Sequence, residues 1–173
     1  MSHEHDPATE HHLLRHYLAT LAYRTQKAVR GAPEGFGDYR AAKGVRTPHE
    51  LVWHMTGVLG YARTFLLGGV WRPEKETSFD DEIHRFHELL EDLSRLIESE
   101  MPTPEISATQ LLQGPLSDAM THAGQIIMLR RLSGSPVPPE NFVMAKIDAA
   151  NLGPDQSPPA APDDVWNEPD EDA

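Results

Sequence analysis

Apolar residues recur at helical spacing in four segments of the chain. The clearest pattern lies in the third segment, where steps of four and three residues build one continuous apolar face. Ser78 precedes this face and Asp81 follows three residues later, as in an N-terminal cap. The face consists of Phe79, Ile83, Phe86, Leu90, Leu93 and Ile97. The pattern predicts an amphipathic helix.

The second segment carries the strongest start signal. Thr47 can cap a helix, Pro48 suits the first helical position, and Glu50 completes a capping box. A pair of glycines at 68–69 ends the segment. The predicted inward stripe of this helix reads Leu51, His54, Val58, Tyr61 and Phe65, so a histidine stands inside an apolar series.

The first and fourth segments complete a set of four helices. The first spans 8–30 and the fourth 107–132, with Pro115 as an alternative start. Because each helix has about 20 residues, or about 30 Å, and strand signals are few, the sequence predicts an all-α four-helix bundle. An irregular helical domain is the second interpretation. The glycine-rich loop over 31–46 has enough length for a crossover connection.

The chain after residue 133 has a different composition. Eight of the fifteen prolines fall in 134–173, and no regular helix tolerates that density. Eight acidic residues and no basic residue follow Lys146. We therefore expect a bundle over 1–133 and an extended, proline-rich acidic segment over 134–173 that packs on the bundle or trails from it.

Composition argues against several classes of function. A net charge of −12 disfavours nucleic-acid binding, which needs clustered lysine and arginine. No apolar run is long enough to span a membrane, and the N-terminus lacks a secretory signal, so we expect a cytoplasmic protein. The absence of cysteine removes disulfides and cysteine–zinc sites, so a metal site would need histidine and carboxylate.

Three polar residues interrupt the second and fourth helices. Asp118 and His122 stand one helical turn apart, a separation that lets two side chains bind one ion. With His54 from a facing helix they form a two-histidine, one-carboxylate set, which leaves coordination positions open. The alternative is structural: a backbone carbonyl satisfies His54 in the core, and Asp118–His122 is a surface pair worth about 0.2–0.5 kcal/mol.

Other charged residues have simpler interpretations. His84 and His87 fall beside or outside the apolar face of the third helix, so we expect both to be solvated. Arg130 and Arg131 stand near the end of the fourth helix, where positive charge suits the helix dipole.

Two stretches resemble the DinB-like superfamily of metal-binding four-helix bundles. They are GVRTPHELVWHMTGVLGYARTFL over 44–66 and PLSDAMTHAGQIIMLRRLSG over 115–134, and the resemblance continues through SPVPPENFVMAKIDAANLGPDQ over 135–156. It covers most of the chain, and T-H-x-G-Q-x-x-x-L-R-R is its most specific part. The resemblance implies an up-up-down-down bundle with a long crossover after the first helix, and a homodimer.

The resemblance also implies a divalent metal held by one residue of the second helix and two residues of the fourth. Carried over residue by residue, these are His54, Asp118 and His122. Many members have histidine at all three places, so Asp118 is a departure. We expect zinc or nickel, with iron and manganese as further candidates.

Characterised relatives include transferases and isomerases that use low-molecular-weight thiols, and some hydrolases. A thiol-dependent transferase acting on a small-molecule substrate is our leading hypothesis, because the chain has no cysteine and the nucleophile would arrive with the cosubstrate. A metal-dependent hydrolase and a non-catalytic dimeric interaction protein are the alternatives. The metal would lie in a cleft between the second and fourth helices. Glu50 and Gln125 would orient its ligands, and Tyr17 and Tyr61 would line this cleft.

Overall fold

The computed structural model describes residues 6–99 and 105–160. Within these ranges the chain is helical and has no β-strand, so the predicted all-α class is confirmed. The four long helices are α1 (Pro7–Val29), α2 (Pro48–Leu67), α3 (Phe79–Glu98) and α5 (Ser117–Leu132). A short helix α4 (Ala108–Leu111) and a π-helical turn (Leu112–Leu116) lead into α5, and 3-10 turns lie at Phe36–Asp38 and Phe142–Met144.

The starts of α2 and α3 follow their local sequence signals. The Glu50 backbone N–H donates to Thr47 Oγ1 at 3.2 Å, and the Thr47 N–H donates to Glu50 Oε2 at 2.8 Å, which completes the capping box. The Asp81 N–H donates to Ser78 Oγ at 3.1 Å. Both predicted helix starts are confirmed, and such caps contribute about 1 kcal/mol each.

The fourth predicted helix is interrupted before it reaches the bundle. Gly114 has φ −95° and ψ −107°, which breaks the helix, and Pro115 has no N–H to restore the hydrogen-bond ladder. Ser117 Oγ donates to the Leu112 carbonyl at 2.6 Å across the break. The bundle helix therefore begins at Ser117, close to the alternative start predicted from Pro115.

Helices α1 and α2 lie at opposite corners of the bundle, because each packs against both α3 and α5. Side chains from all four long helices fill the space between them. The largest fully buried ones include Leu18, Leu21, Met55, Leu59, Phe86, Leu90 and Ile126. Each such burial contributes about 1.5–3 kcal/mol. None of the helices in 6–99 and 105–160 is long and apolar enough to cross a membrane.

Helices α2 and α3 run in the same direction. Thr56 Oγ1 of α2 donates to Glu82 Oε1 of α3 at 2.9 Å. Further along both helices, Arg63 Nε of α2 donates to Asp92 of α3. The later residue of α2 thus meets the later residue of α3. Two consecutive parallel helices need a connection that returns along the bundle.

That connection is the 68–78 segment, which we call the crossover. It runs back beside α2, since Trp53 Nε1 donates to the Pro73 carbonyl at 3.2 Å and Trp71 packs on Gly60. A Cβ added at Gly60 would stand 2.0 Å from Trp71 Nε1, so only glycine admits the indole ring this close.

Helices α1 and α5 run opposite to α2 and α3. Arg15 Nε donates to Ser94 Oγ at 3.1 Å near one end of α3, and Gln26 contacts His87 at 3.3 Å nearer the other, so α1 is antiparallel to α3. In the last turn of α5, Arg130 donates to carbonyls at the end of α1, so the two C-terminal ends meet. The order is up-down-down-up.

The predicted up-up-down-down order and the crossover after the first helix are therefore wrong. The loop over 31–46 stays at one end of the bundle, where Phe36 contacts Phe79 with ring centroids 6.2 Å apart. Tyr39 closes the same end by donating its hydroxyl to the Leu132 carbonyl at 2.9 Å. These contacts at the N-terminus of α3 and the C-terminus of α5 hold the loop in place.

The buried face of α2 is rotated from the predicted stripe. Its fully buried apolar residues are Val52, Met55, Leu59 and Ala62. Of the predicted stripe, Leu51 is buried, Tyr61 is 58% exposed and the other three are half-buried. His54 therefore stands at the edge of the core.

The C-terminal segment, as far as residue 160, packs against the bundle through a buried carboxylate. Glu140 accepts from the Tyr23 hydroxyl at 2.6 Å and from Lys27 Nζ at 2.9 Å. Burial and the nearby Glu140 raise the pKa of Tyr23, so its hydroxyl stays a donor. The Phe142 ring covers this pair, with the Arg24 guanidinium 3.8 Å from its centroid. The rest of the predicted acidic segment, 161–173, lies outside the described residues.

The same segment buries His87, for which the predicted solvated position is wrong. Its Nδ1–H donates to the Leu152 carbonyl at 2.6 Å, and the residue is only 2% exposed. His84 is exposed as predicted. The error arises because helical periodicity describes burial between helices and cannot show a distant segment lying over an outer face.

We expect the free energy of unfolding to decrease as the pH falls below 6.5, the ordinary pKa of histidine. Burial lowers the pKa of His87 in the folded state, so the unfolded chain takes up the proton first and gains stability. His49 and His54 have pKa values lowered in the same direction. Urea denaturation between about pH 5 and pH 8 measures this loss.

His87→Asn should make that loss shallower, because asparagine keeps an N–H for the Leu152 carbonyl and does not titrate. His84→Asn changes an exposed histidine on the same helix and should leave the slope close to the wild-type value. An unaltered slope in His87→Asn would contradict this assignment.

A second prediction concerns the crossover. Gly60→Ala should destabilise the protein by roughly 1–3 kcal/mol, because the new Cβ displaces Trp71. Gly57→Ala is the matched control, since a Cβ there meets no atom within 4 Å and alanine favours a helix by about 0.5–1 kcal/mol. Denaturation followed by tryptophan fluorescence compares the two. Equal changes in the free energy of unfolding for the two variants would contradict the close packing of Trp71 on Gly60.

Candidate metal centre

The packing of α2 on α5 brings three potential metal ligands together. One ligand atom from each of His54, Asp118 and His122 lies within 4.8 Å of the others. His54 Nε2 is 3.7 Å from Asp118 Oδ2, and His122 Nε2 is 3.4 Å from Asp118 Oδ1. The two imidazole rings meet edge to face, with centroids 4.7 Å apart and an interplanar angle of 79°.

Local sequence explains how each ligand reaches this point. Asp118 and His122 share one face of α5 because four residues make about one helical turn. The break at Gly114 lets α5 start afresh at Ser117, immediately before the first ligand. His54 stands at the edge of the buried face of α2, so its ring extends along the side of the core toward α5.

His122 has the environment of a prepared ligand. Its side chain is nine-tenths buried, and its Nδ1 lies 2.7 Å from Gln125 Oε1. An amide oxygen only accepts, so Nδ1 carries the proton and Nε2 keeps its lone pair. Nε2 is buried and has no hydrogen-bond partner. A buried nitrogen with a free lone pair is costly unless something binds it.

The two histidine–aspartate separations are longer than ordinary hydrogen bonds and close to the separation of two ligands on one metal ion. N–H···O bonds have donor–acceptor distances of about 2.7–3.2 Å, and the two histidine–aspartate separations here, 3.4 and 3.7 Å, are longer. Ligand atoms about 2.0–2.2 Å from a zinc ion stand roughly 3.3–3.6 Å from one another in a tetrahedral site. Two imidazoles and a carboxylate suit zinc, nickel, iron or manganese and leave positions open.

Electrostatics keep His54 in its metal-binding form. Burial lowers its pKa first, and the nearby Arg46 and His122 lower it further, against an opposing effect of Asp118. The neutral imidazole is the ligand, so metal binding competes with few protons near neutral pH. Asp118 is about half exposed and supplies the site's one negative charge.

A cavity of about 500 Å³ opens beside His54, between α2 and the crossover. The residues lining it are Arg46, Glu50, Trp53, His54, Gly57, Trp71, Arg72 and Pro73. A larger cavity of about 820 Å³ contains none of the three ligands. Of the three candidate ligands His54 alone lines the smaller cavity, so this cavity adjoins the candidate site on its α2 side.

The remaining residues proposed from the sequence have distinct positions. Gln125 fixes the His122 tautomer through its contact with Nδ1. Glu50 lines the cavity, but its carboxylate bonds to Thr47 and to Arg40, at 3.0 and 3.2 Å, and not to a ligand. Tyr17 packs on the core from α1, and Tyr61 contacts Phe65 instead of lining the cavity.

Sequence reasoning did not select Arg46, Arg72 or Trp71 for this site. Arg46 adjoins the Thr47 cap, which is a detectable signal. The other two belong to the crossover, and nothing local to 68–78 shows that it returns along α2. Their position beside His54 follows from the helix order.

The chain matches no protein-family model, and no curated protein or solved structure matches it either. The candidate metal centre therefore stands on its own geometry, and the DinB-like resemblance stays an interpretation of the sequence motifs.

Proposed function

We propose that this protein binds a divalent metal ion through His54, Asp118 and His122, and that it is a DinB-like metal-dependent transferase with a low-molecular-weight thiol as cosubstrate. The observation that carries the proposal is the environment of His122 Nε2. This nitrogen is buried, lacks a hydrogen-bond partner, holds its lone pair because of Gln125, and faces two further ligand atoms.

Three features support a thiol cosubstrate. The chain has no cysteine, so a sulfur nucleophile must come from outside. Two histidines and one carboxylate leave coordination positions free for an incoming ligand. The cavity beside His54 has room for a small molecule. When bound, the ion would supply a Lewis acid that lowers the pKa of a thiol or a water.

The protein's own side chains have separable tasks. Gln125 orients His122 and keeps its Nε2 deprotonated. Asp118 contributes one negative charge, so that a divalent ion with these ligands keeps a net charge of one positive. Trp71 packs on α2 at Gly60 and forms one wall of the cavity.

Chain purified without a metal-affinity column should contain about one divalent ion per chain after reconstitution, measured by elemental analysis. Gln125→Ala should weaken metal binding by about 10–100-fold, because the ring loses its orienting partner. His122→Ala should weaken it more than that. A chelator should lower the melting temperature of the wild type but not of His122→Ala.

His84→Ala removes an exposed histidine away from the site and should leave metal binding unchanged. Asp118→Asn tests the third ligand without altering side-chain shape. Should none of these variants change metal content, or should the wild type bind no ion, the three residues are a structural polar cluster and the non-catalytic interaction protein becomes the better hypothesis. The homodimer stays a prediction, which light scattering checks.

The thiol is tested separately on cobalt-substituted protein. Adding glutathione or cysteamine should produce a sulfur-to-cobalt charge-transfer band, because the open position accepts a thiolate. The corresponding alcohol, ethanolamine, is the control for cysteamine and should produce no such band. Absence of the band with both thiols, together with ester or amide hydrolysis by the metal-loaded protein, would favour the hydrolase over the transferase.

A further inference from the structure

The cavity beside the metal centre is positive in an acidic protein. The whole chain has a net charge of −12, yet two arginines, Arg46 and Arg72, line this one cavity. Within the part of the chain that the structure describes, neither guanidinium has a hydrogen bond or an ion pair. Two uncompensated positive charges therefore border the same space.

The carboxylate in the cavity wall does not cancel them. Glu50 bonds to Arg40 through both of its oxygens and also accepts the Thr47 N–H. These bonds and the N–H dipole lower the pKa of Glu50, so it stays charged and engaged. Arg46 and Arg72 line the same cavity as His54. A bound divalent ion would add to the positive potential.

The other walls are largely apolar. Trp53 is held by its bond to the Pro73 carbonyl, and Trp71 is held against Gly60. Flat indole faces suit an apolar or aromatic body, whereas free guanidinium groups suit a planar carboxylate. Positive charge at one part of the cavity and apolar surface at another suit an anionic ligand with an apolar body.

We infer that this cavity binds a carboxylate-bearing small molecule, with its carboxylate on Arg46 and Arg72 and its apolar body between Trp53 and Trp71. The inference rests on the proposed function in treating this molecule as a reactant next to His54. The carboxylate belongs either to the acceptor substrate or to the thiol cosubstrate, since both are small molecules that must reach the same metal.

The test uses phenylacetate and its neutral analogue phenylacetamide, titrated calorimetrically into the full chain with and without bound metal. Phenylacetate should bind about ten-fold more tightly than phenylacetamide, because a charge-assisted pair replaces a neutral contact. Arg46→Gln and Arg72→Gln should each lower phenylacetate affinity about ten-fold and leave the weak phenylacetamide affinity unchanged. Added salt should lower the affinity for phenylacetate and leave the affinity for phenylacetamide unchanged.

Arg95→Gln is the matched control, because Arg95 is an exposed arginine on α3 away from the cavity. Equal affinities for acid and amide, or equal losses in all three arginine variants, would overturn the inference. Arginine-dependent binding of phenylacetate to a chain that takes up no metal would support the carboxylate pocket while refuting the metal-dependent function. The two proposals therefore fail separately.

A competition experiment separates the two sources of the carboxylate. S-methylglutathione carries carboxylates but no free thiol. Displacement of phenylacetate by S-methylglutathione, together with a loss of about ten-fold in the affinity of Arg46→Gln for S-methylglutathione itself, assigns the arginines to the thiol cosubstrate. Simultaneous binding of both molecules assigns them to the acceptor substrate. Both results support a carboxylate site.

Discussion

The buried carboxylate of Glu82 is the constraint on which the candidate site depends. It is fully buried and accepts hydrogen bonds from Thr56 of α2 at 2.9 Å, from Arg85 at 2.6 Å, and from the Glu76 backbone N–H at 3.0 Å. These bonds tie α2, α3 and the crossover together at one point. The crossover supplies residues 71–73 of the cavity wall, so the wall's position follows from this bonded carboxylate.

Burying a charge costs free energy, and this cost favours chain arrangements that supply hydrogen-bond donors to the buried group. A carboxylate taken out of water costs several kcal/mol unless its lone pairs are satisfied. The donors to Glu82 come from three places: Thr56 of α2, Arg85 of α3 itself, and the Glu76 N–H at the end of the crossover. Arg85 also donates to the Glu74 carbonyl and to Glu76 Oε1, which holds the end of the crossover beside Glu82. Glu140 does the same for the C-terminal segment, with Tyr23 and Lys27 as donors. The crossover and the C-terminal segment are thus each fixed to the bundle by a buried acid.

This explains which parts of the fold could be predicted from the sequence. Helix starts depend on a few neighbouring residues, so Thr47 and Ser78 indicated them correctly. Helix direction depends on pairs far apart in sequence, and no local signal connects Glu82 with Thr56 or His87 with Leu152. The all-α class could therefore be predicted, whereas the order of directions and the burial of His87 could not.

The candidate ligands could be named from sequence for a similar reason. Asp118 and His122 share a helical turn, a local relation, and His54 was selected as a polar residue in an apolar series even though the true core face is offset by one residue. That offset matters chemically. A histidine at the centre of the buried face would be sealed among Val52, Met55 and Leu59, whereas one at the edge is half-buried and adjoins the cavity.

Asp118 and the two arginines of the cavity, Arg46 and Arg72, belong to one electrostatic arrangement. Replacing a neutral imidazole by Asp118 removes one unit of positive charge from a divalent centre, which weakens its attraction for an anion. Arg46 and Arg72 restore positive potential on the cavity side of His54, where a ligand would enter, while Asp118 stays on the α5 side. A site built in this way would separate two tasks that a three-histidine centre combines: in the proposed function the ion would activate the reacting atom, and the arginines would attract the anion.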